Sequence, residues 1–214
     1  MKYLTVQNPP LKKVSITNNS NDIEWIKGSD NSNVVIKNSK LNVQILRYKI
    51  SAKDSNKGYD TICIRESINN SVVVIENQNN EIGLIYEWRP IPEKWFWACV
   101  RGFAEKKDKN PISTAKREIL EEVGLKNYLK IIDLGIYYQN TTYFVNPIKI
   151  VLIEVKSNLN FKLQENEGII NFNFFSIKEI YKMISKSEIN CQHTLAALMK
   201  YFAFKNKIGT THKT

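Results

Sequence analysis

Residues 110–125, Asn-Pro-Ile-Ser-Thr-Ala-Lys-Arg-Glu-Ile-Leu-Glu-Glu-Val-Gly-Leu, read as a helix with both ends written into the chain. Asn110 is suited to accept from the first free N–H groups, and Pro111 fits the first helical position because its missing N–H would go unpaired there anyway. Gly124 suits the left-handed residue that ends a helix. Ile112, Ala115, Ile119 and Val123 recur at helical spacing and form one apolar stripe. Glu118, Glu121 and Glu122 stand at i, i+3 and i+4, so they share a face, expected to lie opposite much of that stripe. Like charges at this spacing repel by about 0.2–0.5 kcal/mol per pair unless something neutralises them. Arg117 stands four residues before Glu121 and can hold it, leaving Glu118 and Glu122 for a cation. Hard carboxylate oxygens select Mg²⁺ or Mn²⁺. A solvated surface helix also presents Glu-x-x-Glu-Glu, so the surrounding chain has to decide between the two readings.

On either side of the helix the chain reads as strands. Ser71–Glu76 and Ile82–Tyr86 flank a polar turn at 77–80 and predict a hairpin. Further strands are expected at 131–138, 149–155 and 169–176, followed by amphipathic helices near 177–187 and 191–205. Strands on both sides of a central helix, with helices at the end, predict an α/β or α+β sandwich. Residues 1–66 carry short strand-like runs, at 14–19, 33–38, 41–50 and 59–67, separated by polar turns such as Gly28-Ser29-Asp30. They predict a small β-rich N-terminal segment, leaving 67–214 for the main domain.

Composition narrows the function. The 214 residues are 43% hydrophobic and 24% charged, as in an ordinary globular protein. No stretch reaches the roughly 20 apolar residues of a membrane span and no signal-peptide pattern opens the chain, so a cytoplasmic protein with no membrane partner is expected. Cys63, Cys99 and Cys191 lack metal or disulfide spacing, and His193 and His212 are the only histidines. A multi-histidine metal site and a Ser-His-Asp hydrolase are thereby disfavoured. The net charge of +10 favours an anionic partner, a phosphorylated small molecule or nucleic acid. The excess is mostly lysine spread along the chain, without an arginine-rich or Gly-aromatic nucleic-acid motif.

The longer string from Gly102 through Leu125 resembles the Nudix box, which reads Gly, five residues, Glu, seven residues, then Arg-Glu-apolar-x-Glu-Glu-x-Gly-apolar. Arg117, Glu118, Ile119, Glu121, Glu122, Gly124 and Leu125 fill the second half completely. The first half carries one extra residue. Counting forward from Gly102 reaches Asp108, whereas counting back from the helix reaches Lys109; with the insertion before Asn110, Asp108 or Glu105 takes the acidic position. The resemblance implies a Nudix-type α/β/α sandwich around a mixed sheet. It also implies a divalent metal held by Glu118, Glu121, Glu122 and the backbone carbonyl of Arg101.

Beyond the box, residues 65–200 resemble the ADP-ribose pyrophosphatase branch. Tyr86-Glu87-Trp88-Arg89-Pro90 stands where that branch has a Tyr-Arg-Pro segment, although Ala98 and Val100 replace its usual Glu and Pro. The resemblance implies hydrolysis of ADP-ribose or a nucleotide sugar to a nucleoside monophosphate and a sugar phosphate, and a homodimer formed through the N-terminal arm. Arg89, Arg101 and Arg65 are candidates to meet diphosphate oxygens, since guanidinium forks match phosphate. Trp88 is a candidate to stack on a base, with core packing as the alternative for it and for Trp95 and Trp97. With the helix carboxylates committed to metal, a general base is expected on the loop 164–168, where Glu167 fits the branch's acidic loop best and Glu165 second. Two other functions are compatible with this pattern: removal of pyrophosphate from RNA 5′ ends, and nucleotide sensing without catalysis.

Overall fold

The computed structural model describes residues 24–27, 34–38, 43–51, 58–159, 161–163 and 168–211. The strand expected at 14–19 and the acidic loop residues 164–167, with Glu165 and Glu167, lie outside the described residues. The chain divides into two compact units, one holding the strands up to Ile68 together with Tyr137–Ile148, the other holding Asn69–Ile136 and the chain from Lys149 onward.

In the N-terminal unit β1 (Glu24–Lys27), β2 (Val34–Asn38), β3 (Val43–Ser51) and β4 (Gly58–Arg65) form an antiparallel sheet in sequence order. Segment 137–148 joins it through Ile64, whose N–H donates to the Tyr143 carbonyl and whose carbonyl accepts from Val145. Asn140 shapes that segment by accepting from the Thr142 N–H through its side chain, at 2.9 Å.

The second unit is built on β5 (Ser71–Asn77), β6 (Ile82–Arg89), β7 (Lys94–Ala98), β8 (Val100–Gly102), α1 (Pro111–Val123), β9 (Lys130–Tyr137), β10 (Ile148–Val155), β11 (Ile169–Phe175), α2 (Ile177–Ser185) and α3 (Gln192–Thr211). Its seven-stranded sheet runs β11-β6-β5-β10-β9, with β7 on β6 and β8 on β5. The sheet is mixed, because β10 pairs parallel to β5 whereas β6, β7, β8 and β11 pair antiparallel. Every residue of β5 is buried, as a central strand covered on both faces requires. Val73, Ile75, Ile85, Val100, Val151 and Ile153 pack with Ala115, Ile119 and Val123 of α1. Glu76 occupies an alternate position of β5 and meets Tyr201 of α3, so helices cover both faces. This is the expected α/β/α arrangement, although α3 runs to Thr211, beyond the expected end near 205.

The β5–β6 hairpin turns on Asn77, whose side chain accepts from Asn79 and Glu81 N–H groups at 2.9 and 3.0 Å. The two strands share only the pairs Ile75↔Gly83 and Glu76↔Ile82. The stretch from Trp95 to Gly102 is divided into β7, on β6, and β8, on β5. Since β5 and β6 are antiparallel, a straight continuation of β7 would run parallel to β5, yet β8 is antiparallel to it. The chain must therefore turn at Cys99, and there the Cys99 N–H leaves the sheet to donate to Thr194 Oγ1 at 3.1 Å. Among the described residues no helix is long and apolar enough to cross a membrane.

Candidate active site

Helix α1 has the ends its sequence predicts. Asn110 and Ser113 cap each other reciprocally, at 2.9 and 3.0 Å, and Gly124 is left-handed with φ 69°. The carboxylates are arranged differently from the expectation. Glu118 and Glu122 are only 7% and 4% exposed and sit within the buried face, alongside Ala115, Ile119 and Val123. The cause is geometric: at 3.6 residues per turn, positions 115, 118, 119, 122 and 123 fall on one side, and only Glu121 points away from it.

Gly102 is what lets Glu118 lie there. A Cβ on Gly102 would stand 1.7 Å from Glu118 Oε1, so the strand gives up its side chain to admit the carboxylate. Arg117 then ties the helix to the loop that leads into it. Its Nη1 donates to Glu121 Oε2 at 2.7 Å, its Nε to Asp108 Oδ2 at 3.1 Å and its Nη2 to the Phe103 carbonyl at 2.8 Å. Nη2 also lies 2.7 Å from Glu118 Oε1, so Arg117 is shared between Glu118 and Glu121, contrary to the reading that Glu118 is left wholly to a cation. Burial works against the charge of Arg117, but the surrounding carboxylates outweigh it and raise its pKa.

Asp108, not Lys109, takes the acidic position of the loop. It is buried, accepts from the Glu105 N–H at 2.9 Å, and its carbonyl accepts from Asn69 Nδ2 at 3.1 Å, whereas Lys109 is exposed. Burial pushes the Asp108 carboxyl upward, yet the hydrogen bonds from Glu105 and Arg117 and the charge of Arg117 leave it below its ordinary value. Glu105 is exposed, 3.7 Å from Arg117 Nη1.

His193 stands near the start of α3 and is half-buried. Burial first, and then the charges of Arg101 and Arg89, hold the His193 imidazole down to about 4, so it is neutral at pH 7. Arg89 pairs with buried Glu87, and the Nε atoms of both arginines are buried with no hydrogen-bond partner. The sequence marks His193 only as a helix residue. Arg65 closes β4 in the N-terminal unit and is exposed. Trp88 is half-buried and meets Trp95 edge-on at 5.5 Å, while Tyr86 stacks between Trp95 and Trp97. By strand alternation Trp88 and Arg89 face opposite sides of β6.

The donor chemistry suits a hard cation: two buried carboxylates, Glu118 and Glu122, beside a strand kept bare at Gly102. Among the described residues no three His, Cys, Asp or Glu side chains cluster closely enough to hold a metal by themselves. Backbone oxygen or water would therefore have to complete the shell.

The sequence profile of the NUDIX domain matches residues 68–193. The chain belongs to the NUDIX domain family. It is a Nudix hydrolase, and its box is the loop and helix from Gly102 to Leu125. A solved structure described as the crystal structure of ADP compounds hydrolase is similar in fold, with a TM-score of 0.62 and 15% sequence identity over 87% of this chain and 93% of that one. No curated protein matches the sequence.

Proposed function

We propose that this Nudix hydrolase cleaves the pyrophosphate bond of a nucleoside diphosphate derivative, ADP-ribose or a nucleotide sugar, to a nucleoside monophosphate and a sugar phosphate. The observation that carries this reading is the pair of buried carboxylates, Glu118 and Glu122, seated against Gly102. The fold likeness to an ADP compounds hydrolase supports the substrate class. Glu118, Glu122 and the Arg101 carbonyl would hold Mg²⁺ or Mn²⁺, with Glu121 contributing an oxygen at the outer side of the set. Such a cation, when bound, offsets charge on the diphosphate and lowers the pKa of water. Arg117 and Asp108 fix the helix and its loop, so the carboxylates stay in place without a substrate.

Arg89 and Arg101 receive diphosphate oxygens, and Trp88 offers a partly open ring to a base. Glu167, with Glu165 as the second candidate, supplies the base that removes a proton from the attacking water. The same reading makes the protein a homodimer through its N-terminal strands.

A panel of ADP-ribose, nucleotide sugars and 5′-triphosphorylated RNA, assayed with Mg²⁺ and Mn²⁺, tests the substrate. ADP-ribose or a nucleotide sugar should turn over fastest. RNA turning over faster, or tight ligand binding without product release, would overturn the reading. In that assay Glu122→Gln should abolish turnover with little change in folding, and Glu167→Gln or Glu165→Gln should slow it by about 10²–10⁴-fold.

A further inference from the structure

Ser71 opens β5, and the reaction as described gives it no role. The two asparagines before it tie the start of the strand to the Nudix box: Asn69 Nδ2 donates to the Asp108 carbonyl at 3.1 Å, and Asn70 Oδ1 accepts from the Ala104 N–H at 3.0 Å. Side chains alternate along a strand, and Val73 and Ile75 pack with α1, so Ser71 faces α1 as well. Across the β5–β8 ladder its partner is Gly102, the glycine whose missing side chain leaves room for the Glu118 carboxylate. We propose that Ser71 is a positioning residue of the metal site, its hydroxyl accepting a hydrogen bond from a water in the shell of the cation that Glu118 and Glu122 hold. This inference rests on the metal reading above.

Directly opposed residues of antiparallel strands carry Cβ atoms about 4.5–5.5 Å apart. A Cβ on Gly102 would stand 1.7 Å from Glu118 Oε1 and 1.8 Å from its Cδ, so the carboxylate itself takes the place of Ser71's cross-strand neighbour. Ser71 is 1% exposed, yet among the described residues no group pairs with its Oγ. On the other flank its partner is Lys149 of β10, whose Nζ turns to Asp133 Oδ2 at 2.9 Å. A serine Oγ has two lone pairs to offer, whereas a water held by a cation turns a lone pair to the metal and both protons outward. Hydroxyl and water are therefore complementary. Arg117, which holds Glu118 Oε1 at 2.7 Å, can only donate and cannot receive those protons. Burying an unpaired hydroxyl is unfavourable, and a group brought in with the cation offsets that cost.

Mn²⁺ binding to the whole chain, followed by calorimetry without substrate, tests this together with thermal unfolding of the metal-free protein. Ser71→Ala removes one oxygen and should weaken Mn²⁺ binding about tenfold or more, the range for groups that act behind a metal's ligands. The metal-free Tm of the same variant should equal or exceed that of the wild type, because the hydroxyl lost had no partner there. Glu122→Gln, measured alongside, should abolish Mn²⁺ binding. Wild-type affinity in Ser71→Ala, with binding lost in Glu122→Gln, would overturn the role of Ser71 and leave the metal site standing. A lowered metal-free Tm in Ser71→Ala would show that the hydroxyl is already satisfied before the cation arrives, and would overturn the proposal too. Mn²⁺ binding unchanged in Glu122→Gln, or absent from the wild type, would remove the metal reading and this inference with it.

Discussion

Arg117 touches the Phe103 carbonyl and the carboxylates of Asp108, Glu118 and Glu121, and its loss would release the loop and the helix together. Asp108 is the informative partner to remove, because it contacts the loop and not the proposed ligands. Asp108→Asn should destabilise the protein by about 1.5–3 kcal/mol, the range for a hydrogen bond to a charged group, and slow turnover by loosening the helix. The pH dependence has a definite sign. Since the folded-state pKa of Asp108 is depressed, its contribution is complete above the ordinary aspartate value and is lost as pH falls through the depressed one. Thermal unfolding of wild type and variant should differ at neutral pH and converge only in acid below the ordinary aspartate range. A constant difference down to strong acid would show that the charge of Asp108 is not what stabilises. The sequence leaves Asp108 and Glu105 as competing occupants of this position, because a loop has no periodicity to count by. Contacts from Asn69 and from the Glu105 N–H, invisible in the sequence, make the choice.

Helix α1 shows how far local chemistry reaches. Its cap, its proline and its left-handed glycine follow from rules that act within a few residues, and its ends fall where the sequence places them. The direction of Glu118 and Glu122 was accessible in principle, since the helical wheel puts both beside Ala115 and Ile119; assigning charge to solvent hid it. The Cys99 turn was not accessible, because it depends on which edges β5 and β6 leave open after two shared pairs. The meeting of β8 and α1 gives a direct prediction. Gly102→Ala sets a methyl into the Glu118 carboxylate, and the first atoms it meets are the far end of a flexible side chain. The carboxylate should swing aside while the backbone stays, lowering kcat at least tenfold but stability by no more than about 1–3 kcal/mol. Full activity in the alanine variant would mean that Glu118 need not lie against the strand.

The N-terminal unit has four described strands, and short strands of that number are hard to stabilise without another surface to pack on. If the chain dimerises through them, its mass in solution at micromolar concentration should be twice 24.9 kDa; a monomer at that concentration would remove the proposed arm. The strand-like runs of this unit were legible from their alternation and turns, but the recruitment of Tyr137–Ile148 was not, because that segment carries no strand pattern and is held through backbone groups of Ile64. Among the described residues the chain consequently passes between its two units three times, after Ile68, after Ile136 and after Ile148. Neither unit is a cassette that can be lifted out of the gene with one pair of ends. Cutting the chain near Ile68 would free a fragment short of the piece that finishes its sheet, and would leave the hydrolase carrying that piece as an orphan between β9 and β10. Dissection of this protein calls for a short designed bridge across 137–148, or for expressing the two halves together.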